Sequence, residues 1–177
     1  EYLFLNRGTL PDETEQFEAY RNAVQGLEGR PLVIRTLDLG ADKVAAAMPD
    51  AAEANPALGV RAIRFCLAHP AIFRKQLRAI LRASAYGPVK LLYPMVSTVE
   101  ELRRANELLE ACRDELKAVS VAFDAELPVG IMIETPTAAM IADVFAREVD
   151  FLCIGTNDLI QYGSAVDRLN ERITDHA

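Results

Sequence analysis

An α/β fold of the (β/α)8 TIM-barrel type, incomplete and present as about four to five βα repeats, is what the 177-residue sequence predicts. Three observations predict it. Short apolar runs alternate with amphipathic helical stretches along the chain, the pattern of parallel strands covered by helices. The runs are near-continuously apolar, as strands buried on both faces are. Charged or amide residues gather at the C-terminal end of three of the runs, where β/α barrels carry their functional groups. An open doubly wound sheet is the competing arrangement. It would concentrate its ligand at one switch point, usually beside a glycine-rich phosphate turn, and neither a GxGxxG nor a Walker sequence occurs. A whole barrel takes about 250 residues, so residues 1–177 read as part of one barrel domain, with the remaining strands expected outside this chain.

Taken in order, residues 1–5 resemble the tail of a strand or the start of a short apolar helix. Pro11, Asp12 and Glu13 open a helix, with proline and acids where the unpaired N–H groups and the helix dipole favour them. Phe17, Tyr20, Ala23, Val24 and Leu27 give its period, and Gly26 and Gly29 mark its end. Residues 31–40 form the next strand, closing on Arg35, Asp38 and a turn through Gly40 and Lys43. Residues 44–60 are a long connection without a period, either an active-site loop or a surface excursion. Helical sequence begins at residues 61–64 and a second amphipathic helix covers 71–85, with Ile72, Phe73, Leu77, Ile80 and Leu81 inward. Its outer face carries Arg74, Lys75, Arg78 and Arg82, which read as a solvated face ahead of a binding patch.

A strand at 89–96 leads into a capping box at Thr98 and Glu101, and the helix it starts runs to about Ala118 on a stripe of Leu102, Ala105, Leu108, Leu109 and Cys112. Residues 120–127 are a loop. A strand from Val129 then ends in Glu134 and Pro136, a helix covers 137–148, and a last strand around Phe151 stops abruptly in Gly155-Thr156-Asn157-Asp158.

Composition narrows the function. With 51% hydrophobic residues the chain can bury a sizeable core. A net charge of −7 without any Lys/Arg block argues against nucleic acid. Apolar runs reach about eight residues, short of the roughly 20 that span a bilayer, and the N-terminus has no signal pattern, so no membrane insertion and a cytoplasmic location are expected. Cys66, Cys112 and Cys153 are widely spaced and read as buried reduced thiols; His69 and His176 form no metal-spaced pair.

The informative stretch is 134–168, where two successive strands each end in an acid. Neighbouring parallel strands lie about 4.8 Å apart, so Glu134 and Asp158 are placed to share one divalent cation through oxygen ligands. Arg168, ten residues beyond Asp158, brings to the same rim a fork suited to carboxylate or phosphate. The plain alternative is two ordinary strand-end turns with solvated charges.

Several segments together resemble the C-terminal, phosphoenolpyruvate-binding domain of Enzyme I of the bacterial sugar phosphotransferase system, the phosphoenolpyruvate–protein phosphotransferases. They are Glu1-Tyr-Leu-Phe-Leu5, Val33-Ile-Arg-Thr-Leu-Asp38, Gly59-Val-Arg-Ala-Ile-Arg64, Gln76 through Ser84, Ile133-Glu-Thr-Pro136, and Val149 through Asp158 to Ala165-Val-Asp-Arg168. The resemblance implies that Arg35 and Arg168 bind the phosphoryl group or carboxylate of phosphoenolpyruvate. It also implies that Glu134 and Asp158 hold Mg2+, and that Asn157, with its own and its neighbour's backbone N–H, contacts substrate. It further implies a homodimeric parent that passes phosphate to its own histidine and on to a histidine-containing phosphocarrier protein. The family's proton-donating cysteine, its phosphoacceptor histidine and one further arginine fall outside this chain, so no catalytic residue is assigned within it, and the chain alone is expected not to complete turnover. Gly40-Ala41 replaces a commoner glycine pair. Pyruvate phosphate dikinase and phosphoenolpyruvate synthase share the Gly-Thr-Asn-Asp turn but usually differ at Tyr162 and at 165–168. A non-catalytic regulatory module and a metal-dependent lyase of the pyruvate-enolate type are the remaining alternatives.

Overall fold

The structure, a computed structural model, describes residues 10–38 and 55–167. Four strands, β1 (Leu32–Arg35), β2 (Val89–Tyr93), β3 (Val129–Ile133) and β4 (Phe151–Ile154), pair in parallel in the order β1-β2-β3-β4. Ladder partners such as Ile34 with Leu91, Tyr93 with Ile131 and Ile133 with Ile154 fix the register. Sequential order with every strand parallel is the progression of a β/α barrel. A doubly wound sheet would reverse its strand order at a switch point, and the described strands contain no such reversal. Among the described residues the sheet is not closed, consistent with a partial barrel.

The helices cover one face. α1 (Glu13–Gly26) is capped by Asp12, whose side chain accepts from the Glu15 N–H at 2.9 Å. α2 (Ala62–Ala68) and α3 (Pro70–Ser84) are separated at His69, with Pro70 in the first turn of α3, where a missing N–H is harmless. α4 (Val99–Ala118) starts in the predicted capping box: the Thr98 hydroxyl accepts from the Glu101 N–H, and the Glu101 carboxylate accepts from the Thr98 and Ser97 N–H groups. Phe73, Leu77, Ile80 and Leu81 of α3 pack with Leu102, Leu109 and Leu116 of α4 against Leu91, Tyr93 and Ile131 of the sheet. A buried polar chain fastens the end of β1 to this layer. The Leu37 N–H donates to the Gln76 side chain, Gln76 to the Tyr20 hydroxyl, Tyr20 to Gln16, and Gln16 to the Pro11 carbonyl.

The basic face of α3 is a structural network. Arg78 and Arg82 each donate to Glu13 at 2.8 Å, Arg78 and Arg74 donate to Glu115, and Arg82 stacks 4.1 Å from the Phe17 ring centroid. Binding of an outside anion therefore does not explain these cations.

Three expectations are corrected. The single helix over 137–148 is two short ones, α5 (Pro136–Met140) and α6 (Ala142–Phe145). They part at Ile141, whose backbone leaves the helical region and lets Phe145 reach full burial while Met140 points out. The strand at 151–154 is not buried, because β4 is the open edge of the described sheet: Leu152 is 37% and Ile154 68% exposed. For the same reason Cys153 is exposed, while Cys66 and Cys112 are buried thiols as expected. Burial, with the nearby Asp38 carboxylate, pushes the Cys66 thiol up to about 12, so it stays protonated. The first strand-like stretch, the Gly40-Ala41 turn, most of the long connection, Arg168 and His176 lie outside the described residues.

Candidate functional site

Parallel strands in sequence order bring their C-terminal ends to one rim, so residues distant in the chain meet there. β1 ends at Arg35, and the backbone after it carries the buried Asp38. Glu134 directly follows β3. β4 delivers Gly155 and α7 (Thr156–Ser164), whose first turn holds the exposed Asn157 and the buried Asp158.

Glu134 is fully buried, and only one of its oxygens is satisfied. Oε1 accepts from the Met95 N–H at 2.6 Å, whereas the equally buried Oε2 has no hydrogen-bond partner among the described residues. Burial pushes this carboxyl above its ordinary pKa; the Met95 N–H pulls it down, the Asp158 and Asp38 charges push it further up, and Arg35 opposes them. A buried acceptor without a partner is expensive and calls for an explanation, of which a bound cation is one. Gly155 keeps the place open, because a Cβ there would lie 2.5 Å from Glu134 Oε2 and 2.8 Å from the Met132 methyl. Met95 holds its N–H on Glu134 with φ at 58°, a left-handed conformation unfavourable to a side chain, and such strain concentrates at functional sites.

Arginines face the acids across the rim. Arg61, the residue before α2, places Nε and Nη2 on Asp38 at 3.0–3.1 Å and turns Nη1 to Asp158 at 3.3 Å and to the Tyr162 hydroxyl at 3.1 Å. Burial alone would lower its pKa, but the Asp38 carboxylate, Tyr162 and Asp158 outweigh that and hold it raised, so Arg61 is a permanent cation. Arg35 lies 3.4 Å from Asp38 and 3.9 Å from the Met132 sulfur. Both Asp38 oxygens are thus engaged by guanidinium groups, which sets Asp38 apart from Glu134 as a cation ligand.

The structure places Glu134, Asp158 and Arg35 near enough for Asp158 and Arg35 to act on the Glu134 charge, and Asn157 sits in the same first turn of α7 as Asp158; Arg168 lies outside the described residues. Arg61, the most connected side chain of the site, is missing from the sequence-based set, as are Asp38 and Tyr162. Arg61 follows Gly59-Val60 at a helix start rather than at a strand end, and that helix start after a long connection was the available signal. Among the described residues, no group of three or more His, Cys, Asp or Glu side chains gathers around one point. Two carboxylates, one with a buried oxygen lacking a partner, fit a hard cation such as Mg2+, which takes one or two protein carboxylates and completes its shell with water and substrate oxygens.

The chain is similar to known proteins over nearly its whole length. Proteins named phosphoenolpyruvate-protein phosphotransferase from Listeria monocytogenes and Bacillus subtilis are 51% and 49% identical over 174 residues, 98% of this chain. The one from Staphylococcus carnosus is 51% identical over 176 residues. This chain spans about 30% of the length of each of these relatives. The crystal structure of a citrate lyase from Burkholderia xenovorans LB400 superposes with a TM-score of 0.50 at 20% identity, covering 95% of this chain and 54% of that one, which speaks to the fold alone. The family model described as PEP-utilising enzyme, PEP-binding domain, matches residues 1–177 throughout, and the chain belongs to that family.

Proposed function

We propose that the protein carrying this chain transfers the phosphoryl group of phosphoenolpyruvate to a histidine of its own and from there to a small phosphocarrier protein, and that this chain supplies much of the substrate and metal site. The observation that carries the reading is the buried Glu134 Oε2 without a partner, set beside Asp158 and opposite Arg35 and Arg61 on one rim. Glu134 and Asp158 would hold Mg2+, which neutralises charge on substrate oxygens. Arg35 and Arg61, with Arg168, would bind the phosphoryl and carboxylate oxygens; phosphoryl transfer asks a protein mainly for this positioning and charge neutralisation. Asn157, exposed in the first turn of α7, is free to offer its amide to substrate. As the bond between phosphorus and the enol oxygen breaks, the phosphoryl group passes to the histidine, and the pyruvate enolate takes a proton at its methylene carbon from a donor outside this chain. No helix among the described residues is long and apolar enough to cross a membrane; a cytoplasmic, homodimeric parent is part of the same proposal and rests on the family resemblance.

The test is to incubate the intact protein with labelled phosphoenolpyruvate, Mg2+ and its phosphocarrier, with and without nucleotide. Nucleotide-independent label on a histidine of both proteins, with stoichiometric pyruvate, is expected. Dependence on a nucleotide would assign the chain to a dikinase or synthase, and the absence of any turnover or phosphoenolpyruvate binding to a regulatory module.

A further inference from the structure

The Tyr162 hydroxyl joins two parts of the rim. It accepts from Arg61 Nη1 at 3.1 Å and donates its one hydrogen to the Ala57 carbonyl, in the 3-10 turn Pro56–Leu58 just before Arg61. Tyr162 stands one helical turn after Asp158 on α7, so the two share a face and reach the same guanidinium. The other side of the turn is held by Arg64, which donates to the Leu58 and Gly59 carbonyls and pairs with Glu101. Directly after Arg61, Ala62 has φ at 50°, a conformation that persists only where its surroundings enforce it. The Arg61 head group is therefore fixed from three sides: Asp38 takes Nε and Nη2, while Asp158 and Tyr162 divide Nη1. Asp158 alone would draw a mobile guanidinium onto itself, away from an incoming anion. The neutral phenol shares Nη1 without adding charge.

We propose that Tyr162 is a positioning residue for Arg61, holding its guanidinium at the rim in the orientation that receives the substrate anion. It acts through Arg61 and touches no reacting atom. The inference rests on the reading of the site as one for phosphoenolpyruvate.

The experiment uses the intact protein with phosphoenolpyruvate, Mg2+ and phosphocarrier, and compares Tyr162→Phe, Arg61→Lys and the double variant. Tyr162→Phe keeps the ring and its packing and removes both hydrogen bonds. The expected result is a fall of about tenfold in kcat/KM, carried by KM, with an unchanged melting curve. In the Arg61→Lys background the same substitution is expected to change kcat/KM by less than about twofold, because the group it positions is gone. Equal losses in both backgrounds would overturn the proposal, as would a Tyr162→Phe protein that melts early or does not fold, which would place Tyr162 in the scaffold. If the unaltered protein does not turn over phosphoenolpyruvate, the underlying reading fails as well.

Discussion

Two arginine networks in this molecule use the same residue types for opposite ends. On the outer helices, Arg74, Arg78 and Arg82 meet Glu13 and Glu115, and the side chains stay 23–45% exposed. At the rim, Arg61 and Asp38 are 11% and 3% exposed, and next to them Glu134 keeps a buried oxygen that has no hydrogen-bond partner among the described residues. The outer network is complete and screened by solvent. The inner one leaves a buried carboxylate oxygen without a partner among the described residues, and on the proposed reading a cation would complete it. The two networks differ in burial and in pairing, and the number of charges does not distinguish them.

The substitution expected to break that contrast most severely is Glu134→Gln. Metal-dependent activity should fall by at least about 100-fold, while the metal-free protein gains about 1–2 kcal/mol because a buried charge without a full set of partners is gone. The pH dependence should change with it. The folded-state pKa of Glu134 lies above its ordinary value, so the folded protein binds the extra proton. Metal-free stability is then greatest below the ordinary carboxylate pKa and declines as pH rises through the raised one. Glu134→Gln removes this contribution to the slope, which denaturant melts from pH 4 to pH 8 would resolve.

Next in size is Arg61→Lys. A single ammonium cannot span Asp38, Asp158 and Tyr162 together, and kcat/KM for phosphoenolpyruvate should drop about 30- to 100-fold. Gly155→Ala should follow, costing about 1–3 kcal/mol through the clash with Glu134 and Met132 and weakening metal binding in proportion, as calorimetry would report. Smallest is Glu13→Gln in the outer network, expected to lower stability by about 0.5–1 kcal/mol and leave kcat/KM within about twofold. A large catalytic loss there would erase the distinction between the two networks.

The fold was legible because each strand is an apolar run followed by a helical stripe, and because acids and Arg35 stand at the strand ends. The Thr98 capping box was legible because it is local. Arg61 was not, since its partners Asp38, Asp158 and Tyr162 lie 23, 97 and 101 residues away and only the folded rim joins them. The break at Ile141 has no proline or glycine to announce it; burial of Phe145 decides it. The exposure of β4 depends on what lies beside it, and no pattern within its own residues reports that.

The claim on which all this depends is that Glu134 and Asp158 form one cation site. Mn2+ binding to the intact protein, followed by electron paramagnetic resonance, tests it most directly, comparing the unaltered protein with Glu134→Gln and Asp158→Asn. The account predicts one ion per site whose affinity rises with phosphoenolpyruvate and falls at least about tenfold with either substitution. Unchanged Mn2+ affinity in both variants would contradict it.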